Sequence, residues 1–149
     1  MEQNNKYIDS FSKIWHRLLK HSYGSSDIEK FKEMKQLSHV EVSIISLVYS
    51  NPDIIIREIC EKIDVPKSSM TSMIDRLEKK NYLTRVISKR DRRSFGLKLT
   101  EAGIKIQKQH EEYEKYIFNE IINSLDTDEE KETFLKLTDK IANNLKEFF

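Results

Sequence analysis

The sequence predicts a mainly α-helical protein in which β structure is confined to one small sheet. The 149 residues include only 3 Gly and 2 Pro, and 34% are charged, a composition that favours long, solvated helices. Apolar residues recur at helical spacing along most of the chain. Alternation with period two is limited to two short segments on either side of a charged tip. The length fits one domain with a real hydrophobic core.

The first helices are marked by an apolar face and by a capping pattern. Residues 7–21 place Ile8, Phe11, Trp15, Leu18 and Leu19 on one helical face. Ser38-His-Val-Glu41 has the pattern of a capping box, and Leu37 and Val42 are placed to form the hydrophobic staple across it. The helix that starts there must end at Asn51-Pro52, since proline cannot continue it.

A short helix over Arg57–Ile63 is predicted next. The β-branched segment Ile54–Ile56 before it suits a third strand of the small sheet. This helix lacks Ser or Thr at its N-cap, so Asp53 is the nearest capping candidate. Asp64 stands in the following turn, where it tolerates a left-handed backbone better than most residues. Pro66 then opens another helix, at a position where its missing N–H costs nothing.

The helix after Pro66 has one apolar and one polar face. Met70, Met73, Ile74 and Leu77 form the apolar stripe. The opposite face carries hydroxyl and charged side chains: Lys67, Ser68, Ser69, Thr71, Ser72, Asp75, Arg76 and Lys79. Short hydroxyl side chains flanked by cations allow a helix to lie close to base edges and phosphates. An ordinary amphipathic surface helix has the same pattern, so the helix alone leaves both interpretations open.

A basic β-hairpin follows this helix. Asn81 suits the left-handed position that ends it, and residues 83–88 and 95–99 alternate as two strands. The hairpin carries five cations, Arg85, Lys89, Arg90, Arg92 and Arg93, against one acid, Asp91. Helix, strand, basic tip and strand are the layout of a winged helix-turn-helix. In that fold the wing reaches a minor groove or phosphates while the helix occupies the major groove.

Positive charge is concentrated in the predicted winged region. Residues 57–100 contain twelve Lys or Arg and six Asp or Glu, although the whole chain has a formal net charge of only +1. Residues 101–149 are net acidic, with seven basic and twelve acidic side chains. A positive region that attracts phosphate, in a protein whose total net charge is close to zero, is typical of a sequence-reading DNA-binding protein.

Two long helices complete the chain. Thr100 is expected to cap a helix that runs to about residue 124, with Ile104, Tyr113, Tyr116, Ile117, Ile121 and Ile122 directed inward. Thr127-Asp-Glu-Glu130 forms a second capping box. The helix that it starts carries Phe134, Leu137, Ile141, Leu145 and Phe148. The first helix and these two have more apolar surface than a small winged domain can cover, so we expect a helical homodimer interface, with an intramolecular cap as the alternative.

The motifs of the central region resemble those of the multiple-antibiotic-resistance regulator (MarR) family. The resemblance covers about residues 38–103 and is carried by Arg57–Ile63, Asp75–Lys80, Asp91–Arg93 and Leu97–Gly103. It implies a mainly α winged helix-turn-helix with N- and C-terminal dimerisation helices. Residues 1–36 would form the first dimerisation helix and a connection, 37–103 the DNA-binding region, and 104–149 the last dimerisation helices, in one compact domain. It also implies a homodimeric repressor that binds a pseudo-palindromic operator and is released by a small molecule or an oxidant.

The predicted partner is therefore double-stranded DNA. The residues expected to contact it are Lys67, Ser68, Ser69, Thr71, Ser72, Arg76, Lys89, Arg90, Arg92 and Arg93. Ser72 stands where many relatives have a basic residue, so operator preference cannot be copied from them. Arg76 is open between a phosphate contact and an ion pair that anchors the wing. Asp91 is expected to brace the wing through a neighbouring arginine, because an acid aimed at DNA would repel it.

Other chemistry has less support in the sequence. The resemblance suggests Trp15, His16, His39 and Tyr113 as an effector pocket, with core packing as the alternative for each aromatic. The four histidines lack the spacing of a shared metal site, and neither a metal nor another cofactor is expected. Cys60 stands where the family usually has Ala, so a small buried residue is the simple interpretation and an oxidant sensor the other.

An enzyme is not expected, because the chain has no Gly-rich phosphate loop, nucleophile elbow or clustered metal ligands. A single Cys suits a reducing compartment, and the chain has no apolar run long enough for a membrane span, so we expect a cytoplasmic protein. The remaining alternative is a module that uses the winged fold to bind protein. The basic hairpin tip favours DNA over that alternative.

Overall fold

The computed structural model describes residues 2–24 and 29–145, with side chains over residues 5–20 and 29–145. Its elements in chain order are α1 (Glu2–Gly24), a 3-10 turn (Glu29–Phe31), α2 (Lys32–Lys35), α3 (His39–Ser50), α4 (Ile56–Ile63), α5 (Lys67–Lys79), β1 (Leu83–Ile87), β2 (Phe95–Leu99), α6 (Glu101–Asn123) and α7 (Asp128–Asn144). The predicted fold class, mainly α with a small β-wing, is confirmed. The chain divides into two compact units, residues 1–112 and 113–149.

Helix α3 begins at the predicted capping box. The Ser38 hydroxyl accepts a hydrogen bond from the Glu41 amide at 3.3 Å, and the Glu41 carboxylate accepts one from the Ser38 amide at 2.9 Å. Two backbone donors that the helix cannot pair internally are thereby satisfied. The helix ends at Ser50 with Asn51 as its C-cap, as the Asn51-Pro52 pair predicts.

Helix α4 begins without help from Asp53, so that capping prediction is wrong. Its N-cap is Ile55, and the backbone amide of Ile55 donates to the Glu58 carboxylate at 3.0 Å. The helix thus supplies its own cap from its first turn and needs no polar residue before it. The predicted third strand shrinks to one bridge between Ile55 and Gly96. At Gly96 a Cβ would lie 3.1 Å from the Ile54 carbonyl oxygen, so glycine permits this close pairing.

Both turns around α5 use the left-handed backbone that the sequence indicates. Asp64 has φ 55° between α4 and α5, and Asn81 has φ 59° after α5. Asn81 donates its amide to the Glu78 carbonyl at 2.8 Å, and Tyr82 donates to the Leu77 carbonyl at 3.0 Å. This pair of bonds is a Schellman motif, which reverses the chain from helix into wing.

The wing is a two-stranded antiparallel hairpin that leads directly into α6. Leu83 pairs with Leu99 at its base and Ile87 pairs with Phe95 next to its tip. The Thr100 hydroxyl then accepts the Gly103 amide at 3.1 Å, which confirms the predicted cap of α6. A Cβ at Gly103 would lie 1.9 Å from the Tyr82 carbonyl oxygen. Glycine is therefore required where α6 passes over the end of the α5 turn.

The core of the first unit lies between the helix-turn-helix, the wing and the start of α6. Its fully buried side chains are Ile44, Ile45, Ile59, Met70, Ile74, Leu77, Leu83, Leu97 and Ile106. At the start of α6 the buried side chains are Ile106 and Gln107. Of the residues of α6 expected inward, Ile117 is buried, whereas Ile104 and Tyr116 are each 37% exposed, so the prediction is wrong for these two. The close approach at Gly103 fixes the rotation of the helix, so residues three and four positions later face the core.

Large apolar side chains remain exposed on α1 and, in the second unit, on α7. Those of α1 are Tyr7, Ile8, Phe11, Ile14, Trp15 and Leu18. Helix α7 starts at the predicted Thr127–Glu130 capping box, has no buried residue, and exposes Phe134, Leu135, Leu137 and Ile141. Phe148, predicted on the same helix, lies outside the described residues. No helix in the described part of the chain is both long enough and apolar enough to cross a membrane.

Candidate nucleic-acid interface

Helix α5 separates its buried and exposed residues as the helical period predicts. Met70, Ile74 and Leu77 are fully buried, which places the hydroxyl face of the helix in solvent. The exposed residues on that face include all five that were predicted to read the major groove: Lys67, Ser68, Ser69, Thr71 and Ser72. The Thr71 hydroxyl donates to the Lys67 carbonyl at 2.9 Å and the Ser72 hydroxyl to the Ser68 carbonyl at 3.3 Å. Because these hydroxyls bond to their own helix backbone, the two side chains project little from the surface of α5.

The N-terminus of α5 carries positive potential in addition to the charge of Lys67. Its N-cap is Pro66, and no side chain caps it. The first-turn amides of a helix have no intrahelical partner, and together with the helix dipole they favour an anion such as a phosphate.

Arg85 fixes the wing to helix α5. Its guanidinium donates to the carboxylates of Glu78 and of Asp75, the latter at 2.7 Å, and its backbone amide donates to Glu78 at 2.9 Å. Both acids lie on α5 and Arg85 lies on β1. The sequence interpretation counted Arg85 among the wing cations but missed this role. The strand alternation held a signal for it, because Arg85 falls on the same face as the buried Leu83.

Arg76 forms an ion pair with helix α3 and not with the wing. Its Nε lies 3.0 Å from Oε1 of Glu41, so it joins α5 to α3 and not to the wing. Burial alone would raise the pKa of Glu41, but hydrogen bonds from the Ser38 amide, the Arg76 guanidinium and the Ser38 hydroxyl outweigh it and hold that pKa below the ordinary value. The ion pair that anchors the wing is therefore not the one observed, and a phosphate contact of Arg76 stays a prediction.

Arg90 is also held by the protein. Its guanidinium donates to the Glu58 carboxylate at 2.7 Å and to the Asp53 carbonyl at 2.9 Å. The Ile55 amide and the Arg90 guanidinium together lower the pKa of Glu58. The wing tip is thereby attached to the start of α4.

Asp91 stabilises the turn of the wing through its own neighbours. Its carboxylate accepts the Ser94 hydroxyl at 2.6 Å and the Arg93 backbone amide at 3.0 Å, and the same two bonds, in that order, lower its pKa. The neighbouring arginine that was expected as a partner contributes its backbone amide, and the hydroxyl of Ser94 is the second partner.

Four cations of the predicted interface remain available to a partner. Within residues 2–24 and 29–145, no carboxylate forms an ion pair with Lys67, Lys89, Arg92 or Arg93. All four are exposed, at the start of α5 and around the tip of the wing. The basic residues of this surface thus fall into a group that holds its geometry and a group that faces solvent.

A groove of about 530 Å³ lies between α4, α5 and the wing. Its lining includes Lys67, Thr71, Arg93, Phe95 and Cys60. Cys60 is partly exposed, so the interpretation of a small buried residue is only half right. Whether it senses oxidants stays a prediction.

The residues predicted for an effector pocket have local contacts. Trp15 stacks on Phe11 with ring centroids 6.0 Å apart, and His16 Nδ1 lies 2.7 Å from the Ser12 carbonyl oxygen. His39 is the first residue of α3, and Tyr113 belongs to the second unit. The pocket stays a prediction. In the described ranges, no three His, Cys, Asp or Glu side chains gather into a possible metal site.

Comparisons with known proteins match the same region of the chain. The model of the MarR family matches residues 37–95, from the cap of α3 to the second strand of the wing. The HTH-type transcriptional regulator MhqR of Bacillus subtilis is 30% identical over 112 residues, 75% of this chain and 77% of that protein. The uncharacterized HTH-type transcriptional regulator YpoP of the same organism is 32% identical over 108 residues, 72% of this chain and 75% of that protein.

The chain belongs to the MarR family. It is a helix-turn-helix transcriptional regulator, as the resemblance implied. Solved structures of MarR-type regulators share its fold. Streptococcus pneumoniae FabT in complex with DNA superposes with a TM-score of 0.74 at 24% identity over 99% of each chain. YusO of Bacillus subtilis gives 0.72 at 24% identity, over 93% of this chain and 96% of that one.

Proposed function

We propose that this MarR-family regulator binds a pseudo-palindromic operator as a homodimer and represses transcription until a signal releases it. The observation that supports this most is the division of the basic residues. Arg76, Arg85 and Arg90 are held by carboxylates of the protein, whereas cations at the tip of the wing and the start of α5 have no carboxylate partner in the described part of the chain.

In the proposed complex α5 lies in the major groove. Ser68, Ser69, Thr71 and Ser72 then face base edges, and Lys67 lies at the phosphates beside the helix N-terminus. Lys89, Arg92 and Arg93 contact phosphates or the adjacent minor groove. Arg76 and Arg90 position the surface, and their roles as direct DNA contacts are not part of the proposal.

A second copy of the chain would cover the exposed apolar side chains of α1 and, separately, those of α7. A two-fold dimer places two copies of α5 about 34 Å apart or at a multiple of one DNA turn, which predicts the spacing of the half-sites. Analytical ultracentrifugation should then give twice the chain mass of 17.8 kDa at micromolar concentration. A monomer under these conditions would contradict the dimer.

The deciding experiment is a salt titration of binding to the DNA that flanks the gene of this protein. Four free cations per subunit predict a steep dependence, with a slope of log K against log salt of roughly −7 for the dimer. Binding should exceed that to random DNA by at least about a thousandfold. Weak binding that is equal on all sequences would show that this flanking DNA holds no operator. Selection from a random-sequence pool would then decide whether the protein binds any operator, and failure there would contradict the proposal.

The signal that releases the DNA is proposed to be a small molecule that acts near Trp15, His16 and His39. Trp15 is the single tryptophan of the chain, so its fluorescence reports on its own surroundings on α1. Phenolic acids are a suitable first set of ligands. A true effector changes the emission and lowers operator affinity at the same concentrations, and a ligand that does only one of these is not the signal.

A further inference from the structure

Two large apolar side chains stand side by side in solvent at the tip end of the wing. Ile87 is 65% exposed and Phe95 is 56% exposed. They are directly opposite each other in the β-ladder, as its last pair before the tip. Opposite residues project on the same side of a sheet with their Cβ atoms about 5 Å apart, so the two side chains form one apolar patch.

The rest of this face of the hairpin is covered. Leu83 and Leu97, which lie on it closer to the base, are fully buried. Helix α5 contacts β1 and helix α4 contacts β2 there. Ile87 and Phe95 stay mostly exposed at the other end of the same face, so core packing does not explain two large apolar residues there.

The patch faces the same surface as the residues proposed to bind DNA. Phe95 lines the groove that Lys67, Thr71 and Arg93 also line. The exposed cations Lys89 and Arg92 lie in the tip, between the two strands in sequence. A partner that suits this surface must present anionic groups beside an apolar strip.

The minor groove of DNA has that arrangement, because rows of phosphates border walls made of deoxyribose. We propose that Ile87 and Phe95 pack against the deoxyribose walls of the minor groove while the wing cations contact the phosphates. This proposal rests on the proposed function and adds to it an apolar contact that reads the shape of the groove.

The contact predicts a preference at bases that no side chain of the wing hydrogen-bonds. The amino group of guanine projects into the minor groove, whereas A·T pairs leave the floor without a donor. Apolar side chains cannot accept a hydrogen bond from that amino group, and packing would leave it without a partner. We therefore expect the operator flanks under the wings to be A·T-rich.

The test uses the full-length protein and its operator duplex. Phe95→Ala should weaken binding by about 3- to 30-fold, in keeping with the lost burial of one aromatic side chain. The slope of log K against log salt should not change, because no phosphate contact is lost. Arg93→Ala should instead reduce the steepness of that slope by about 2, because the dimer loses one phosphate contact in each subunit. Phe95→Leu should retain most of the affinity.

Tyr49→Ala is the matched control. Tyr49 is an aromatic residue of the first unit, 43% exposed on α3 and outside the candidate interface. Its removal should leave operator binding unchanged. Thermal unfolding of each variant separates a lost contact from a damaged wing.

A second readout changes the DNA. Inosine in place of guanine removes the minor-groove amino group and keeps the major-groove pattern. Inosine in the flanks should strengthen binding of the wild-type protein, and the Ile87→Ala/Phe95→Ala variant should lose this response. The proposal is overturned if the double variant binds like the wild type, or if it loses affinity but responds to inosine as before. Failure of the wild type to prefer any sequence would instead overturn the proposed function, and the contact with it.

Discussion

The Nε atom of Arg76 lies 3.0 Å from Oε1 of Glu41 and joins the recognition helix α5 to the first turn of α3. Glu41 is only 5% exposed and already accepts the amide of Ser38 with its other oxygen. One carboxylate thus caps α3 and holds α5. Its removal leaves both an uncapped amide and an unpaired guanidinium.

We expect Glu41→Ala to lower the free energy of unfolding by about 2–3 kcal/mol, because it removes the cap and a charged hydrogen bond together. Urea denaturation measures the loss. Glu130→Ala is the matched control, since Glu130 holds the same capping-box position on α7. We expect about 1 kcal/mol there. Equal losses in the two variants would show that the Arg76 pair adds nothing.

The Glu41 interaction should also depend on pH. The pKa of Glu41 is lower in the folded protein than the ordinary value of 4.5. Its contribution is therefore present above that value and disappears as the pH falls through the lower, folded pKa. The stability difference between the wild type and Glu41→Gln should be largest near about pH 7 and shrink below about pH 4. A difference that grows on acidification would contradict the assignment.

Arg93→Ala should reduce operator affinity by about 1–3 kcal/mol while the dimer stays folded. The Arg93 side chain has no carboxylate partner within the described ranges, so a phosphate or base is the partner that it would lose. Fluorescence anisotropy with labelled operator measures the effect. Lys108→Ala, which removes an exposed cation of α6, should bind like the wild type. Unchanged affinity of Arg93→Ala at physiological salt would refute the contact.

Arg90→Ala should behave differently from Arg92→Ala. Arg90 is bound to Glu58 and to the Asp53 carbonyl, whereas Arg92 has no such ion pair among the described residues. We expect Arg92→Ala to reduce the salt dependence of operator binding by about one phosphate contact in each subunit, a change of slope of about 2 for the dimer, and Arg90→Ala to leave it nearly unchanged. A salt titration of both variants separates them. The same loss of slope in each would mean that Arg90 leaves Glu58 for the DNA.

Gly103→Ala should destabilise the protein by more than about 2 kcal/mol, because the added Cβ would lie 1.9 Å from the Tyr82 carbonyl oxygen. Backbone atoms occupy that space, so α6 must shift to relieve the clash. Thermal unfolding measures the effect, with Lys105→Ala on the exposed face of the same helix as control. Near-wild-type stability of Gly103→Ala would show that α6 can move freely.

The sequence predicted the elements of this fold well because their start and end signals are local. The capping boxes at Ser38 and Thr127, the left-handed Asn81 and the alternation of the wing each depend on neighbours a few residues away. Two of the predictions that failed were decided by contacts other than those that the local pattern indicated. The cap of α4 comes from Glu58 inside the helix and not from Asp53, and the phase of α6 is set by Gly103 against a distant backbone.

The candidate site was harder to predict than the fold. Residue type identified the basic wing, but the partner of each arginine depends on distances between segments far apart in sequence. Arg76 and Glu41 are 35 positions apart, and Arg90 and Glu58 are 32 apart. No periodicity carries that information. The residue types therefore indicated the basic region of the wing. The structure was needed to divide its cations into those that pair with carboxylates of the protein and those that face solvent.

That division has a consequence for how such a regulator can change its target during evolution. Arg85 binds both Asp75 and Glu78, so the orientation of the hairpin relative to α5 depends on side chains outside the set proposed to read bases. Substitutions at Ser68, Ser69 or Ser72 leave those three residues untouched. A descendant of this protein can therefore acquire a new operator one exposed side chain at a time, without passing through a form whose wing is misplaced.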